Sequence, residues 1–169
     1  MRVNRFITWL AFVALLIAGV LVFSQTGAHP FTISISTAHP SVKSGSPVVV
    51  NVTLTNTLDR TIGIAQSDPQ SDYDVTVTDI KGTPAPLTAQ GRELHDPYAI
   101  KQVFSNIVRP LKPQEAVTES LEVSQIFDMS RPGEYVIQVT RAVPSKLYSA
   151  NDVGSGVVKS NRLQLSVVK

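Results

Sequence analysis

His29, His39 and His95 are the only imidazoles in the 169-residue chain, so their spacing decides what metal or acid–base chemistry is within reach. A hydrolytic zinc helix needs two imidazoles one turn apart on one face, with a carboxylate between them to activate water. No His-Glu-x-x-His run occurs, and the three histidines fall in unrelated stretches, which makes them separate surface residues. The sequence has no cysteine. That removes disulfides, thiolate metal ligands, cysteine nucleophiles and a lipid-modified cysteine. Asp68, Asp72 and Asp74 offer oxygen donors of the kind calcium takes, but without the glycine and distal glutamate that complete a calcium loop. They read as a solvated acidic loop.

Ser130, Asp128 and His95 supply the residue types of a hydrolytic triad. A triad also needs a nucleophile held in a strained turn beside oxyanion donors, and no Gly-x-Ser-x-Gly elbow is present. Asp128 and Ser130 are better placed as turn formers, whose short side chains bond nearby backbone. Together with Gly133 and Tyr135 they define a structural turn in which the tyrosine hydroxyl returns to the turn backbone as a tyrosine corner. No phosphate loop or dinucleotide fingerprint occurs. The expected catalytic, cofactor-binding and metal residues are therefore none, and no cofactor is expected. Asn51-Val52-Thr53 fits an N-glycosylation acceptor but reads as the outward face of a strand. The few aromatic residues are scattered, which does not compose a carbohydrate platform.

Charge narrows the partners. Arg2 and Arg5 belong to the amino-terminal leader, leaving 13 basic against 13 acidic residues in the remainder. Nucleic-acid binding draws most of its affinity from clustered Lys and Arg on phosphates, so a nucleic-acid partner is not expected. After the two arginines, Phe6 to Phe23 is apolar apart from Thr8, the pattern of an export signal. Small residues at Thr26 and Ala28 suit cleavage after Ala28, whereas a run this long approaches the ~20 residues that span a bilayer. Residues 1–28 are thus a signal peptide or a membrane anchor. Residues 29–169 form one domain outside the cytoplasm, secreted or periplasmic, with membrane contact only if the leader is retained.

The elements that would position these residues are strands. Phe31, Ile33 and Ile35 alternate with Thr32, Ser34 and Ser36, and Val48, Val50, Val52 and Leu54 form the clearest row. Thr61 to Ala65 is a short strand; Tyr73, Val75 and Val77, then Tyr135, Ile137 and Val139, then Leu163, Leu165 and Val167 are three more. Val117, Leu121 and Val123 share a face that Glu119 interrupts, which places the middle of that strand at an edge or exposed. Pro84 and Pro86 confine their segment to an edge or loop, Gln90 to Val103 suits a helical turn or a crossover, and Ser145 to Gly156 is a polar loop. Six to eight short strands without an amphipathic helix predict an all-β, immunoglobulin-like antiparallel β-sandwich, with a closed barrel as the alternative.

Leu54-Thr55-Asn56-Thr57, Phe127-Asp128-Met129-Ser130-Arg131-Pro132-Gly133-Glu134-Tyr135 and Ser160-Asn161-Arg162-Leu163 carry a resemblance. In these phrases the chain resembles the non-catalytic amino-terminal β-sandwich region of deuterolysin-like and peptidyl-Lys metalloproteases. It is also similar to bacterial proteinase-inhibitor and carbohydrate-surface immunoglobulin-like modules. The resemblance implies a sandwich without zinc chemistry of its own. The function expected is an exported, non-enzymatic interaction or structural accessory domain with an extracytoplasmic protein partner. A protease-regulatory module and a small hydrolase with an unrecognised site are the alternatives.

Overall fold

The computed structural model describes residues 29–96, 107–143 and 156–169. The leader, Ala28 with its cleavage site, most of the Ser145–Gly156 loop and the later part of the Gln90–Val103 stretch lie outside the described residues.

Ten strands are described, in chain order β1 (Phe31–Ser36), β2 (Ser41–Lys43), β3 (Val49–Asn56), β4 (Ile62–Gln66), β5 (Asp74–Asp79), β6 (Ile107–Leu111), β7 (Ala116–Glu122), β8 (Gly133–Ala142), β9 (Val157–Lys159) and β10 (Leu163–Val168). Two short helices, α1 (Pro69–Asp72) and α2 (Ala89–His95), and a 3-10 turn at Val123–Gln125 interrupt them. One sheet runs β1-β3-β7; a second runs β2-β10-β8-β5, with β9 on the far end of β8; β4 and β6 form a separate pair. The fold is all-β.

The alternation read from the sequence is the alternation observed. In β3, Val50, Val52 and Leu54 are fully buried and Asn51, Thr53 and Thr55 face outward. The antiparallel register sets Ile33 opposite Leu54 and Leu54 opposite Val117, so three strands contribute to one inward row. In the second sheet Val75, Val77, Ile137, Val139, Leu165 and Val167 do the same, and both sheets close on one continuous core. Burial of each such side chain stabilises by about 1.5–3 kcal/mol, and a slip of one residue would turn a whole row to solvent.

The structure departs from the expected pattern in three places. The sheets are not wholly antiparallel: β2, between Pro40 and Gly45, pairs parallel with β10. Val123 leaves the β7 row for the 3-10 turn, although it stays buried. The acidic loop is not simply solvated, because Asp68 caps α1 while Asp72 turns inward. The helical option for Gln90 to Val103 is the one observed at its start, where α2 is capped by the Thr88 hydroxyl on the Gly91 N–H.

One turn carries backbone strain. Glu115 N–H bonds the Lys112 carbonyl (3.0 Å), with Pro113 in second place and Gln114 at φ +61 in third, the turn geometry that favours glycine there. Left-handed backbone costs a non-glycine residue about 1–2 kcal/mol, against about 0.5–1 kcal/mol of extra chain entropy for glycine. Gln114→Gly is therefore expected to raise stability slightly, by about 0.5 kcal/mol, read as an upward shift of the thermal midpoint.

Candidate functional site

The turn that precedes β8 is built by its own side chains. Asp128 accepts from the Ser130 N–H (3.0 Å), and the Tyr135 hydroxyl donates to the Arg131 carbonyl four residues upstream (2.8 Å). Gly133 opens β8, and the Tyr135 ring is buried. Burial pushes the Tyr135 hydroxyl up, with the nearby Asp128 carboxylate adding to the effect. Hydrogen bonds from Ser130, side chain first and backbone second, hold the Asp128 carboxyl below its ordinary value. A group depressed in the folded state adds stability that is complete above its unfolded pKa of about 4 and is lost as pH falls through the lower folded value. The thermal midpoint of Asp128→Asn is expected to lie below that of the parent at pH 6, with the gap closing on acidification below about pH 4.

A cleft of about 500 Å3 opens beside this turn. Its walls are the Gly45–Pro47 turn, Leu87 to Ala89 with Arg92 of α2, Glu122 and Ser124, and Asp128 to Ser130. Cross-links between segments far apart in sequence hold those walls. Ser44 Oγ donates to the Ser130 carbonyl, Ser124 Oγ accepts from the Val48 N–H (3.0 Å), and the Thr88 N–H bonds the Ile126 carbonyl (3.0 Å). Three glutamines form a chain: Gln90 Nε2 donates to Gln70 Oε1, Gln70 Nε2 to Gln125 Oε1, and Gln125 Nε2 to the Glu122 carboxylate. A Cβ at Gly91 would lie 2.0 Å from the Ile126 carbonyl oxygen, so glycine is what lets α2 pack this closely.

His95 does not complete a triad with Asp128 and Ser130. A catalytic imidazole presents its Nδ1–H to the carboxylate, whereas His95 Nδ1 donates to the Gly91 carbonyl (2.9 Å) and its ring stands edge-on to Phe127. Asp128 instead bonds the Ser130 amide directly. His39 is exposed and His29 half-buried, and no group of three metal-ligating side chains occurs among the described residues. The three aspartates also diverge. Asp68 accepts from Gln70 N–H (3.1 Å), Asp72 from the amide and hydroxyl of Ser67 (2.8 and 2.7 Å), and Asp74 is exposed at the start of β5. Asn51 accepts from the Ser120 hydroxyl (3.1 Å) on the outward face.

Two polar centres inside the fold were missed in the sequence reading. Asn56, fully buried, donates through Nδ2 to the carbonyls of Arg60, Leu111 and Lys112 (2.8, 3.0 and 2.9 Å) and accepts from the Leu58 N–H (2.9 Å). The second centre joins both sheets. The Arg141 guanidinium lies 4.9 Å from the centre of the Tyr73 ring, bonds the Ala65 carbonyl and stands 3.9 Å from Asp72. On the other side, the Tyr73 hydroxyl donates to Glu119 (2.9 Å), which also accepts from Gln66. Burial above all raises the Tyr73 pKa, with Glu119 adding to it against the opposing pull of Arg141, so the phenol stays a donor. Glu119 on edge strand β7 is thus an inward carboxylate with a partner, a device that also discourages another strand from adding there.

No family model matches this chain, and no curated protein matches it. Among solved structures it is similar to the CARDB domain of a Pyrococcus furiosus protein in complex with di-metal ions. That match has 17% identity and a TM-score of 0.38, covering 82% of this chain and 87% of that one. It is also similar to a β-glucosidase from Listeria innocua, in its isofagomine and glucose complexes, at 16% and 17% identity and TM-scores of 0.35 and 0.34. There it covers 80% of this chain and spans only 16% of the enzyme.

Proposed function

We propose that the chain is an exported, non-enzymatic interaction or structural accessory domain whose sandwich is immunoglobulin-like and whose contact surface is the end that carries the cleft. The division of strands supports the fold: β1-β3-β7 on one side and β10-β8-β5 on the other correspond to the two sheets of that architecture. The Tyr135 contact near the start of β8 has the form of a tyrosine corner. Export rests on the Phe6–Phe23 leader, with cleavage after Ala28 releasing a soluble domain that begins at His29.

The observation that carries the choice of surface is the cross-linking of the cleft walls. Segments from four parts of the chain meet there, tied by bonds between side chain and main chain: the Ser44 hydroxyl to the Ser130 carbonyl and the Val48 N–H to the Ser124 hydroxyl. A partner would meet loops already ordered, so little conformational entropy is lost on contact. Loops on a rigid sandwich are where such domains vary their binding.

Photo-crosslinking residues placed at Ser46 and Ala89, beside the cleft, and at Thr76, on the outward face of β5, test this in the native host. Adducts with a protein partner are expected from the first two positions. No adduct there, or equal adducts from Thr76, would count against the reading. Amino-terminal sequencing of the soluble fraction should show a His29 start; Met1–Phe23 retained in the membrane fraction would reject release.

A further inference from the structure

Cleavage after Ala28 leaves His29 as the first residue, with a free α-amine beside its imidazole. The segment that carries it is fixed to the fold at once. The Thr57 hydroxyl donates to the His29 carbonyl (2.7 Å), the Thr57 N–H bonds the Pro30 carbonyl (3.1 Å), and β1 starts at Phe31. The ring lies against Gly156, where a Cβ would stand 3.6 Å from His29 Cε1. His29 Nδ1 is buried and has no hydrogen-bond partner among the described residues. Buried polar atoms of folded proteins are nearly all paired, so an orphaned nitrogen calls for a partner of another kind, such as an ion.

We propose that the α-amine and Nδ1 of His29 chelate one Cu(II) ion in the released domain. The inference rests on release by cleavage after Ala28, because the amine exists only in the processed chain. Both donors belong to one residue, and the ion closes a ring through N, Cα, Cβ, Cγ and Nδ1. The spacing that keeps the three histidines apart has no bearing on a chelate made within one of them. Linked donors bind more tightly than either alone, by about 10²–10⁴. Nitrogen donors suit Cu(II) above the other divalent first-row ions, and its tetragonal geometry leaves the remaining positions to water. Pro30 limits the chelate to this pair, since a proline nitrogen has no N–H to release and cannot join as a further donor. Thr57 holds the backbone and Gly156 seats the ring, so little freedom is lost on binding. Binding displaces any proton on the amine.

The full chain is expressed with its leader for export, and amino-terminal sequencing of the purified soluble protein fixes its first residue before Cu(II) is added. Sequencing judges the release; calorimetric titration with Cu(II) and electron paramagnetic resonance judge the site. A chain that starts at His29 is expected to bind one equivalent, with hyperfine coupling to two nitrogens. Its affinity should fall by about 10²–10⁴ in His29→Ala, and equally in the uncleaved chain held in detergent, where the amine is tied up in a peptide bond. The double variant His39→Ala, His95→Ala should keep the site intact. Should His29→Ala fail to fold, the uncleaved chain gives the same comparison with no side chain changed. A His29 start with no Cu(II) bound, or with affinity unchanged in the uncleaved chain or in folded His29→Ala, would overturn the chelate and leave release standing. A start at another residue would overturn both.

Discussion

Replacing Asn56 with alanine is expected to remove about 3–5 kcal/mol of folding free energy, enough to leave the domain marginal or unfolded at 37 °C. The carboxamide is fully buried and makes four contacts with main-chain groups, binding the turn after β3 to the segment between β6 and β7. Each buried polar group left without a partner costs about 1–3 kcal/mol, and three carbonyls with one amide share that loss. Asn56→Asp should be no better, since an ionised carboxylate cannot donate and would face the same three carbonyls. Thr55→Ala, one residue away on the outward face, is expected to stay within about 0.5 kcal/mol of the parent. Urea denaturation of the three variants measures the difference; an Asn56→Ala midpoint close to that of Thr55→Ala would show that the asparagine is replaceable.

Arg141→Ala is the second large effect, expected at about 2–4 kcal/mol. Arg141 is only 7% exposed, and removal of its guanidinium leaves Asp72 inside the fold without its cation, leaves the Ala65 carbonyl short of a donor and strips one face of the Tyr73 ring. Arg141→Lys should recover only part of the loss, because a single ammonium cannot both stack on the ring and bond the carbonyl sideways. Coupling is the sharper readout. Asp72→Asn should cost less in the Arg141→Ala background than in the parent, the mark of groups that interact. Strict additivity would mean that the 3.9 Å pair contributes nothing.

Both centres were legible in principle, since parity alone reveals them. Asn56 continues the inward row Val50, Val52, Leu54; Glu119 lies between Val117 and Leu121; Arg141 follows Tyr135, Ile137 and Val139. A charge that breaks an apolar row implies an edge or an exposed middle; β7 is an edge strand, and Glu119 is partly buried rather than exposed. The further step is that a polar residue on a buried row needs a partner, and that two opposite charges on such rows can serve each other across a tyrosine. The apolar rows themselves were legible because period two and β-branched side chains agree with burial on one face. What could not be read was anything set by distant main chain. The parallel addition of β2, the docking of α2 against Ile126 and the bonds that join Gln70, Gln90 and Gln125 all depend on segments brought together only by the completed fold. The cleft is hidden in the sequence for the same reason: Asp128 and Ser130 mark only a turn, while Ser46, Arg92 and Glu122, which complete the walls, have nothing local to mark them.

The cleft-bearing end is the surface a partner is expected to recognise. The decisive measurement is the amount of partner that co-purifies with the full chain from native envelope or medium, compared across the parent, Ser46→Arg, Arg92→Glu and the outward-facing control Thr76→Arg, all at matched thermal stability. The expected result is one reproducible protein at near-native abundance with the parent and with Thr76→Arg, and its loss with Ser46→Arg and Arg92→Glu. Equal recovery across all four chains, or no reproducible partner with the parent, would contradict it.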